Sequence, residues 1–294
     1  MQFPPIPQAG PTIVLLGGGV YAAHFAQRFA ERCAAPELTL RLAGRRARRI
    51  AVIAEHARRV VGRIQPNWRI EGTSELGTAL SGADIVILMV RVGGYPARRY
   101  DETFPKEFDL PGDEGLGLGG MANAWRTLPV LGEIGRAVRD TTPSALVINM
   151  TAPLPATTRM LTELGLCVVG LCELPTTGER TLETGTTWDY AGLNHLGWFW
   201  PRDEPDCGGF QKAVSRRVVH PDTIAEFHAI PLPYYYRLVD PVRGTALGLH
   251  TSQGRADVLA GLTDRIYEKL SASPGAAVPD FEERPTPWFS DALI

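Results

Sequence analysis

Residues 12–23, TIVLLGGGVYAA, decide the fold. A β-branched and aliphatic run ends abruptly in three glycines, Gly17-Gly18-Gly19. After the glycines, apolar side chains recur at helical spacing as far as Cys33, namely at Ala22, Phe25, Phe29 and Ala30. This order predicts a strand, a tight turn and a helix at the start of the chain.

Strand-like and helix-like segments alternate outward from this unit. Apolar runs typical of strands lie at residues 38–42, 83–90, 144–150 and 166–171, and another begins at Ile70. Helical periodicity is found at residues 48–64, 121–138 and 255–270. Because strands that alternate with helices favour parallel pairing, the sequence predicts an α/β fold with a doubly wound, Rossmann-like parallel sheet.

Length and charge exclude several classes of protein. The chain has 294 residues and 44% hydrophobic content, enough for one large domain or two associated ones. A net charge of −2 gives no attractive field for nucleic acid or an anionic membrane. The longest apolar runs are far shorter than the ~20 residues of a membrane-spanning helix. We therefore expect neither a nucleic-acid partner nor membrane association.

The compartment is indicated by the first residues and by the cysteines. The opening MQFPPIPQAG has neither a basic region nor an apolar stretch, so nothing there indicates export. Cys33, Cys167, Cys172 and Cys207 match neither a disulfide framework nor a CxxC metal site. Together these features predict a cytoplasmic protein with free thiols.

The glycine turn matches the pattern of a dinucleotide-binding site. In Gly17-x-Gly19-x-x-Ala22, the first glycine permits the tight turn, the second lets the backbone approach a pyrophosphate, and the small Ala22 packs the helix closely. Val20 lies at the start of the helix, where the N-terminus stabilises phosphate. The alternative is a plain structural turn. The strand before the glycines and the helix after them favour the nucleotide.

The second predicted strand ends without the acidic residue that binds a ribose 2′-hydroxyl. Arg45 and Arg46 stand there instead, and two guanidinium groups are suited to pair with a 2′-phosphate. One hypothesis is that NADP is preferred over NAD. The other is that residues 45–49 are the solvated start of a helix, and the sequence leaves both open.

Residues 91–120 differ from the rest of the pattern. They read RVGGYPARRYDETFPKEFDLPGDEGLGLGG, with charged residues concentrated between Gly-rich turns. Such a composition is not expected in a protein core. It predicts a loop that binds a polar ligand.

Six sequence blocks follow one another in the middle of the chain. They are RVGGYPARRYDE (91–102), PGDEGLGLGG (111–120), WRTLPV (125–130), VINMTAP (147–153), VVGLCELP (168–175) and DYAGLNHLGW (189–198). In order and spacing they resemble the family 4 glycoside hydrolases, the nucleotide- and metal-dependent 6-phospho-glycosidases and their relatives. The resemblance continues to the last residue of the chain, and typical family members extend beyond that point.

The resemblance implies a reaction that differs from glycoside hydrolysis by two carboxylates. In such enzymes a bound nicotinamide oxidises the 3-hydroxyl of the sugar, and the ketone acidifies the hydrogen on carbon 2. A tyrosine removes that proton while a divalent metal, usually manganese, stabilises the enediolate. The leaving group is eliminated, water adds and the ketone is reduced, so that NAD or NADP is not consumed.

The same resemblance assigns Cys172 and His195 as the two protein ligands of the metal. Read alone, Cys172 would be an inert buried thiol and His195 a core histidine. Glu173, which replaces an asparagine of the family, is a candidate third ligand. Asn149 matches an asparagine that faces the sugar, and Asn194 precedes the histidine. Their alternative roles are those of turn-forming or strand-capping amides.

The charged segment also gains roles from the resemblance. Arg91 and Arg98 match arginines that lie over the sugar and close to its phosphate, and a guanidinium is suited to bind either carboxylate or phosphate. Asp101 and Glu102 match the acidic pair that follows, and Glu114 matches a family glutamate. The alternative is that Arg98 and Asp101 pair with each other in a structural loop.

The block IPLPYYYR at residues 230–237 resembles the proline–tyrosine block that carries the catalytic base. Tyr234 follows the proline as the family tyrosine does. Three consecutive tyrosines leave the register open, so Tyr235 and Tyr236 are alternatives, and a tyrosine that only packs against other aromatic rings is another.

The sequence thus predicts a Rossmann dinucleotide-binding domain at residues 1–170 and a smaller α+β domain for metal and substrate at residues 171–294, in a homo-oligomer. The main hypothesis is a glycosidase that uses NAD or NADP and a divalent metal on a glycoside or 6-phospho-glycoside, with Tyr234, Asn149 and Arg91 as catalytic residues. Two alternatives stay open. One is an NAD(P)-dependent oxidoreductase or epimerase on a sugar acid or phosphosugar, and the other is a catalytically impaired nucleotide-binding homologue.

Overall fold

The opening strand is the centre of a six-stranded parallel sheet. The computed structural model describes residues 10–176, 182, 186–193, 195–202, 208–248 and 255–283. The strands of the sheet are β1 (Thr12–Gly17), β2 (Thr39–Ala43), β3 (Arg69–Thr73), β4 (Ile85–Met89), β5 (Leu146–Asn149) and β6 (Cys167–Gly170). Their order is β3-β2-β1-β4-β5-β6, so the chain winds from the centre to one edge and then to the other. This arrangement confirms the predicted doubly wound, Rossmann-like sheet.

Helices connect the strands and continue the chain after the sheet. They are α1 (Tyr21–Arg32), α2 (Ala47–Ile64), α3 (Leu76–Leu80), α4 (Gly94–Thr103), α5 (Gly117–Thr141), α6 (Leu154–Glu163), α7 (Gly208–Ser215), α8 (Pro221–Phe227), α9 (Tyr234–Leu238), α10 (Pro241–Ala246) and α11 (Arg255–Ala272). Short 3₁₀ segments lie at Phe104–Phe108 and Pro279–Phe281. Among the residues described, no helix is long and apolar enough to cross a membrane.

The two central strands, β1 and β4, are buried on both faces, which explains why they are almost continuously apolar. In β1, Ile13 and Leu15 pack into one core with side chains of α1, α2 and α11. Val14 and Leu16 pack into a second core with side chains of α5 and α6. Because all four side chains are at most 8% exposed, β1 is fixed in register from both sides.

Packing divides the described residues into two compact units. The first contains the parallel sheet as far as Leu171 and also α11, and the second begins at Cys172. The sequence-based division after residue 170 had placed α11 in the second domain. Instead, Leu262, Ile266 and Leu270 pack into the core of the first unit, because they form the apolar stripe of this helix.

The segment at residues 91–120 is more regular and more buried than the predicted loop. It contains α4, a 3₁₀ turn and the start of α5. Arg98, Asp101 and Glu102 in α4 are 5%, 1% and 8% exposed. The prediction of a loop was wrong because charged side chains are tolerated inside a protein when each has an opposite partner, and the spacing of the charges does not reveal those partners.

The second unit is built on a small antiparallel sheet. β7 (Trp188–Leu193) and β8 (Leu196–Pro201) form a hairpin, and β9 (Ile230–Pro231) pairs with β8. Phe199 and Tyr236 are among the buried side chains of its core. Together with α7 to α10, this sheet forms the small α+β unit that was predicted.

A buried histidine connects α2 to the turn after α11. Nδ1 of His56, which is 2% exposed, accepts a hydrogen bond of 3.0 Å from the backbone N–H of Gly275. An imidazole nitrogen can accept only when it is unprotonated. Burial, with a smaller contribution from the charge of Arg63, lowers the pKa of His56. The contact is therefore made by the neutral ring.

We predict that the free energy of unfolding falls as the pH decreases below 6.5, the ordinary pKa of histidine. Because the pKa of His56 is lower in the folded chain, the unfolded chain binds a proton at a higher pH than the folded chain does. The stabilisation that neutral His56 provides is therefore complete above pH 6.5 and is lost as the pH falls towards the pKa of His56 in the folded chain. The loss should be of the order of ~1–3 kcal/mol, the cost of leaving a buried hydrogen-bonding group unpaired.

Urea unfolding at about pH 7.5 and pH 5.5 would measure this loss in the wild type and in His56→Asn. The Oδ1 atom of an asparagine can accept the same bond without titrating, so the variant should show a flatter pH dependence. A parallel decrease in both proteins would contradict the prediction.

Candidate functional site

Gly17 ends β1 at a point with no room for a side chain. Its φ is 98°, and a Cβ atom there would lie 2.4 Å from the backbone oxygen of Met89 in β4. The N–H of Gly18 donates to the same oxygen at 2.8 Å. Any other residue would strain the turn and push β1 away from β4. The first glycine of the predicted fingerprint is therefore required on steric grounds, because a side chain at this position would collide with β4.

The N-terminus of α1 is suited to hold an anion. Gly19 has a φ of 55°, and no described atom lies within 4 Å of the Cβ position that a side chain would take. Val20 precedes the helix and is buried, and the first turn, YAAH, carries no carboxylate. The Ala22 methyl packs 3.5 Å from the Cβ position of Gly18. Open space beside a helix N-terminus whose first turn carries no carboxylate fits a pyrophosphate.

Arg45 and Arg46 follow β2 at the carboxyl edge of the sheet. The register of the parallel pair places Leu16 beside Ala43, so β1 and β2 end next to each other. Both arginines are exposed, and Arg46 directly precedes α2. This position is compatible with binding of a 2′-phosphate and equally with a solvated helix start.

Arginines and carboxylates of α4, α5 and the loops beside them form a buried cluster. The guanidinium of Arg98 lies 2.6 Å from Oε1 of Glu102 and 2.8 Å from Oε1 of Glu114. The other oxygen of Glu114 forms an ion pair with Arg91, whose side chain is 37% exposed. Burial would raise the pKa of Glu114, but the charges of Arg91 and Arg98 bring it below its ordinary value. Glu114 is therefore an ionised carboxylate shared by two arginines.

Asp101 pairs with Arg126 rather than with Arg98. Its two carboxylate oxygens accept from both terminal nitrogens of the guanidinium. Burial raises the pKa of Asp101, and the hydrogen bonds and charge of Arg126 oppose that rise. Arg126 also donates to the backbone oxygen of Val92 at 3.1 Å. Sequence reasoning missed Arg126, because no periodicity relates it to Asp101, although it lies in the WRTLPV block.

Asn149 ends β5 as a fully buried amide. Its Nδ2 donates to the hydroxyls of Thr157 and Thr158 at 2.9 and 3.0 Å, and its Oδ1 accepts the N–H of Thr151 at 3.1 Å. These are the contacts of a strand-capping amide, the alternative to a sugar contact. They fix the backbone at the carboxyl end of a strand, the edge where ligands bind in such sheets.

Cys172 and His195 lie side by side in the second unit. Cys172 follows β6 and is partly buried. His195 lies in the turn of the β7–β8 hairpin, where Leu193 pairs with Leu196, and has a φ of 69°. The Sγ atom of Cys172 is 3.7 Å from Nε2 of His195. The predicted contact residue Asn194 lies outside the described residues.

Tyr234 lies beside this pair, with its ring centroid 4.3 Å from that of His195. Tyr236 is fully buried, and its hydroxyl donates to Thr223 at 3.0 Å. Burial raises the pKa values of Tyr235 and Tyr236, which makes them weaker candidates for a base. The geometry therefore favours Tyr234 among the three tyrosines.

The separation of Cys172 and His195 fits a shared divalent ion. A thiolate ~2.3 Å and an imidazole nitrogen ~2.1 Å from a tetrahedral zinc ion are roughly 3.6 Å apart. The observed 3.7 Å is close to that distance. Within the described part of the chain, no group of three or more His, Cys, Asp and Glu is placed to hold a metal. Glu173 thus does not complete a three-ligand site here, and further positions would be open to substrate oxygens.

The family of the chain is established by comparison with known proteins. Residues 12–187 match the family model described as Family 4 glycosyl hydrolase. The chain belongs to this family. The resemblance predicted from the six sequence blocks is confirmed, and so is the predicted class of enzyme, a glycoside hydrolase.

Two curated relatives come from Bacillus subtilis (strain 168). One, named Probable 6-phospho-beta-glucosidase, is 26% identical over 316 residues, which cover 96% of this chain and 71% of that protein. The other, an alpha-galacturonidase, is 37% identical over 110 residues, which cover 36% of this chain and 24% of that protein. This chain therefore matches only part of the length of these relatives.

A similar fold is found in the 6-phospho-beta glucosidase from Thermotoga maritima, whose structure was determined with manganese, NAD+ and glucose-6-phosphate. The TM-score is 0.76, and the match covers 93% of this chain and 70% of that one. At 21% sequence identity the likeness establishes the fold. It supports the predicted fold class independently of the strand order.

If Arg45 and Arg46 bind a 2′-phosphate, this chain should bind NADP more tightly than NAD, and the double variant Arg45→Ala/Arg46→Ala should remove most of the difference. Losing charge-assisted hydrogen bonds to a 2′-phosphate should weaken NADP binding by about 10- to 100-fold and leave NAD binding nearly unchanged. Calorimetric titration with each cofactor measures both constants. Arg48→Ala, which removes an exposed arginine at the second position of α2, is the matched control. Tighter binding of NAD by the wild type would refute the hypothesis.

We predict that Cys172→Ser and His195→Gln each weaken Mn²⁺ binding by more than about 10-fold, because each removes one of two protein ligands. Electron paramagnetic resonance of free Mn²⁺ measures the affinity without any turnover. Glu173→Gln should keep the affinity of the wild type. A loss in Glu173→Gln as large as that in Cys172→Ser would show that the two-ligand site is wrong.

Proposed function

We propose that this glycoside hydrolase uses bound NAD or NADP and a divalent metal, preferably manganese, to cleave a glycoside by oxidation, elimination, addition and reduction. The observation that carries the proposal is the grouping of Cys172, His195 and Tyr234 in the second unit. A thiol and an imidazole at metal-bridging distance, with a phenol in ring contact, provide two ligands and a base. The Gly17 and Gly19 turn of the first unit supports the nucleotide part of the proposal.

The bound groups would supply chemistry that side chains lack, since a nicotinamide accepts and returns a hydride and a divalent ion stabilises negative charge on sugar oxygens. The residues of the chain would hold these groups in place. Cys172 and His195 would hold the ion. Gly19 and the N-terminus of α1 would hold the pyrophosphate, with Gly17 keeping the backbone turn against β4.

Tyr234 is the proposed general base. Its phenolate oxygen would take the proton from carbon 2 of the sugar when carbon 3 is a ketone, since the neighbouring carbonyl acidifies that hydrogen. Tyr236 is a poor candidate because its hydroxyl is fully buried and bonded to Thr223 and to the N–H of His220. The resulting Tyr234 hydroxyl can exchange its proton with water before a proton returns to carbon 2 in the same cycle, so solvent hydrogen would reach carbon 2.

The proposed substrate is a glycoside with an anionic group at carbon 6. Arg91 offers a partly exposed guanidinium, which can bind a phosphate or a carboxylate. The names of the two Bacillus relatives specify a 6-phospho-glucoside and a galacturonide, and both carry an anion on that carbon. We favour the phosphate, because the 6-phospho-glucosidase relative matches 96% of this chain and the galacturonidase 36%.

We further propose that the protein acts in the cytoplasm as a homo-oligomer. Cys33, Cys167 and Cys172 are free thiols, which a reducing compartment maintains. Met121 and Trp125 lie one turn apart on α5 and are 69% and 87% exposed. Apolar side chains exposed to that degree on one helix favour contact with another copy of the chain.

We predict that Tyr234→Phe lowers kcat by about 10²- to 10⁴-fold, the usual contribution of a general base. Cofactor and Mn²⁺ affinities should stay near those of the wild type, because the ring that contacts His195 is kept. Tyr235→Phe is the matched control and should retain most of the activity. Hydrolysis of nitrophenyl glucoside 6-phosphate with manganese, NAD or NADP, and a reductant measures the rates.

The isotope content of the released sugar distinguishes the proposed reaction from its alternatives. In deuterium oxide, wild-type enzyme should place deuterium at carbon 2 with no net change in the cofactor. Accumulation of reduced cofactor would instead indicate a net oxidoreductase. Cofactor binding without either signal would indicate a nucleotide-binding homologue that does not turn over, and either result would overturn the proposal.

A further inference from the structure

Arg49, in the first turn of α2, carries a guanidinium group that lacks an acceptor. Its guanidinium carbon lies 4.5 Å from the ring centroid of Tyr267 in α11. The Nη2 atom is buried and, within the described part of the chain, has no hydrogen-bond partner. Oδ1 of Asp264 is 3.9 Å from this atom, which is too far for a hydrogen bond. Because a buried donor without an acceptor is costly, the group is suited to a ligand that supplies one.

The sequence around Arg49 is unusual for the start of a helix. Residues 45–49 read RRARR, and the next carboxylate along the chain is that of Glu55. Negative charge stabilises a helix N-terminus and positive charge destabilises it, yet the first turn of α2 contains no acidic residue. The stability of the helix therefore does not explain these arginines, whereas an anionic ligand among them does.

The arginines lie where the adenosine end of a dinucleotide is expected. Leu16 of β1 pairs with Ala43 of β2, so α2 begins at the same edge of the sheet as the Gly17–Gly19 turn. In sheets of this kind the ribose of the adenosine lies at the end of the second strand. Arg46 is the N-cap residue of α2, and Arg49 is one helical turn further on. Arg49 is thus near the position expected for a 2′-phosphate.

The ring of Tyr267 holds the Arg49 side chain without using its hydrogen-bond donors. Arg49 precedes Ile50 and Tyr267 follows Ile266, and these two isoleucines are buried in the same core. The backbone is therefore fixed on both sides of the contact. A cation is attracted to the face of an aromatic ring whichever way its N–H groups point, so the guanidinium can turn towards a phosphate and keep this contact. Such a pre-arranged side chain loses little freedom when a ligand binds.

We propose that Arg49, positioned by Tyr267, binds the 2′-phosphate of NADP and makes the chain prefer NADP over NAD. The inference rests on the proposed function in one respect, that the Gly17–Gly19 turn binds a dinucleotide. It also chooses between the two interpretations of residues 45–49. The start of a solvated helix would leave its arginines fully in water, whereas the Arg49 side chain is 27% exposed and contacts an aromatic ring.

Calorimetric titration of the whole chain with NADP and with NAD, without metal or sugar, tests the role of Arg49. We expect Arg49→Gln to weaken NADP binding by about 10- to 100-fold, because it removes charge-assisted hydrogen bonds to the phosphate. NAD binding should stay within about twofold of the wild type, which also shows that the nucleotide site of the variant is folded. Arg48→Gln is the matched control. It removes the preceding, exposed arginine of α2 and should leave the affinities for both cofactors within about twofold.

The role of Tyr267 is tested by a double-mutant cycle. Tyr267→Leu should weaken NADP binding by about 3- to 10-fold, because the guanidinium loses the ring that holds it. Tyr267→Phe keeps the ring and should bind NADP as the wild type does. In the Arg49→Gln background, Tyr267→Leu should add less than about twofold. An equal loss in both backgrounds would show that Tyr267 does not act through Arg49.

The two titrations separate failure of this inference from failure of the proposed function. A preference for NADP that is lost in Arg49→Gln and kept in Arg48→Gln would support the inference. If the wild type binds NAD and NADP equally, or if Arg49→Gln weakens both by the same factor, Arg49 does not recognise the 2′-phosphate and the inference is overturned, while the proposed function stands. If the wild type binds neither cofactor, the nucleotide part of the proposed function is wrong as well.

Discussion

The absence of a side chain at Gly17 is the constraint on which the first unit depends. β1 is buried on both faces and lies between β2 and β4, so its end has no space on either side. A Cβ atom at Gly17 would meet the Met89 backbone at 2.4 Å. The turn must therefore leave the sheet through glycine, and this direction places Gly19 and the start of α1 at the carboxyl edge. The residues that satisfy this packing requirement are thus the same ones that are proposed to bind the pyrophosphate.

The charged residues of α4 obey a different constraint. A buried ion is tolerated only when an opposite charge and hydrogen bonds replace its water. Arg98 and Asp101 satisfy this condition through Glu102, Glu114 and Arg126, which lie on three different segments of the first unit. Since removal of Arg98 or of Arg126 would leave a buried carboxylate, that of Glu102 or of Asp101, without its arginine, the cluster holds these segments in one arrangement.

The centre of the parallel sheet could be predicted because β1 and β4 are buried on both faces and are therefore almost continuously apolar, as residues 83–90 show. The helix α4 could not, because its interior contacts are ion pairs, and the order of charges along a chain does not show which of them meet in space. The attachment of α11 to the first unit could not be predicted from the sequence either. Its apolar stripe was visible, but periodicity shows that a face is buried and not what covers it.

In the candidate functional site, too, sequence motifs identified the residues but not their surroundings. Sequence motifs placed Cys172 and His195 in one site, and their side chains lie 3.7 Å apart. Among the three consecutive tyrosines, which are chemically identical, Tyr234 was chosen only because it follows the proline of the block, with Tyr235 and Tyr236 as alternatives. In the structure they form the first turn of α9, where successive side chains are about 100° apart around the axis. They must face three directions, so Tyr234 contacts His195, Tyr235 packs among aromatic rings, and the Tyr236 hydroxyl is bonded within the core. A helical turn thus gives one residue type three environments, and only the environment beside two potential metal ligands favours a phenol as a base.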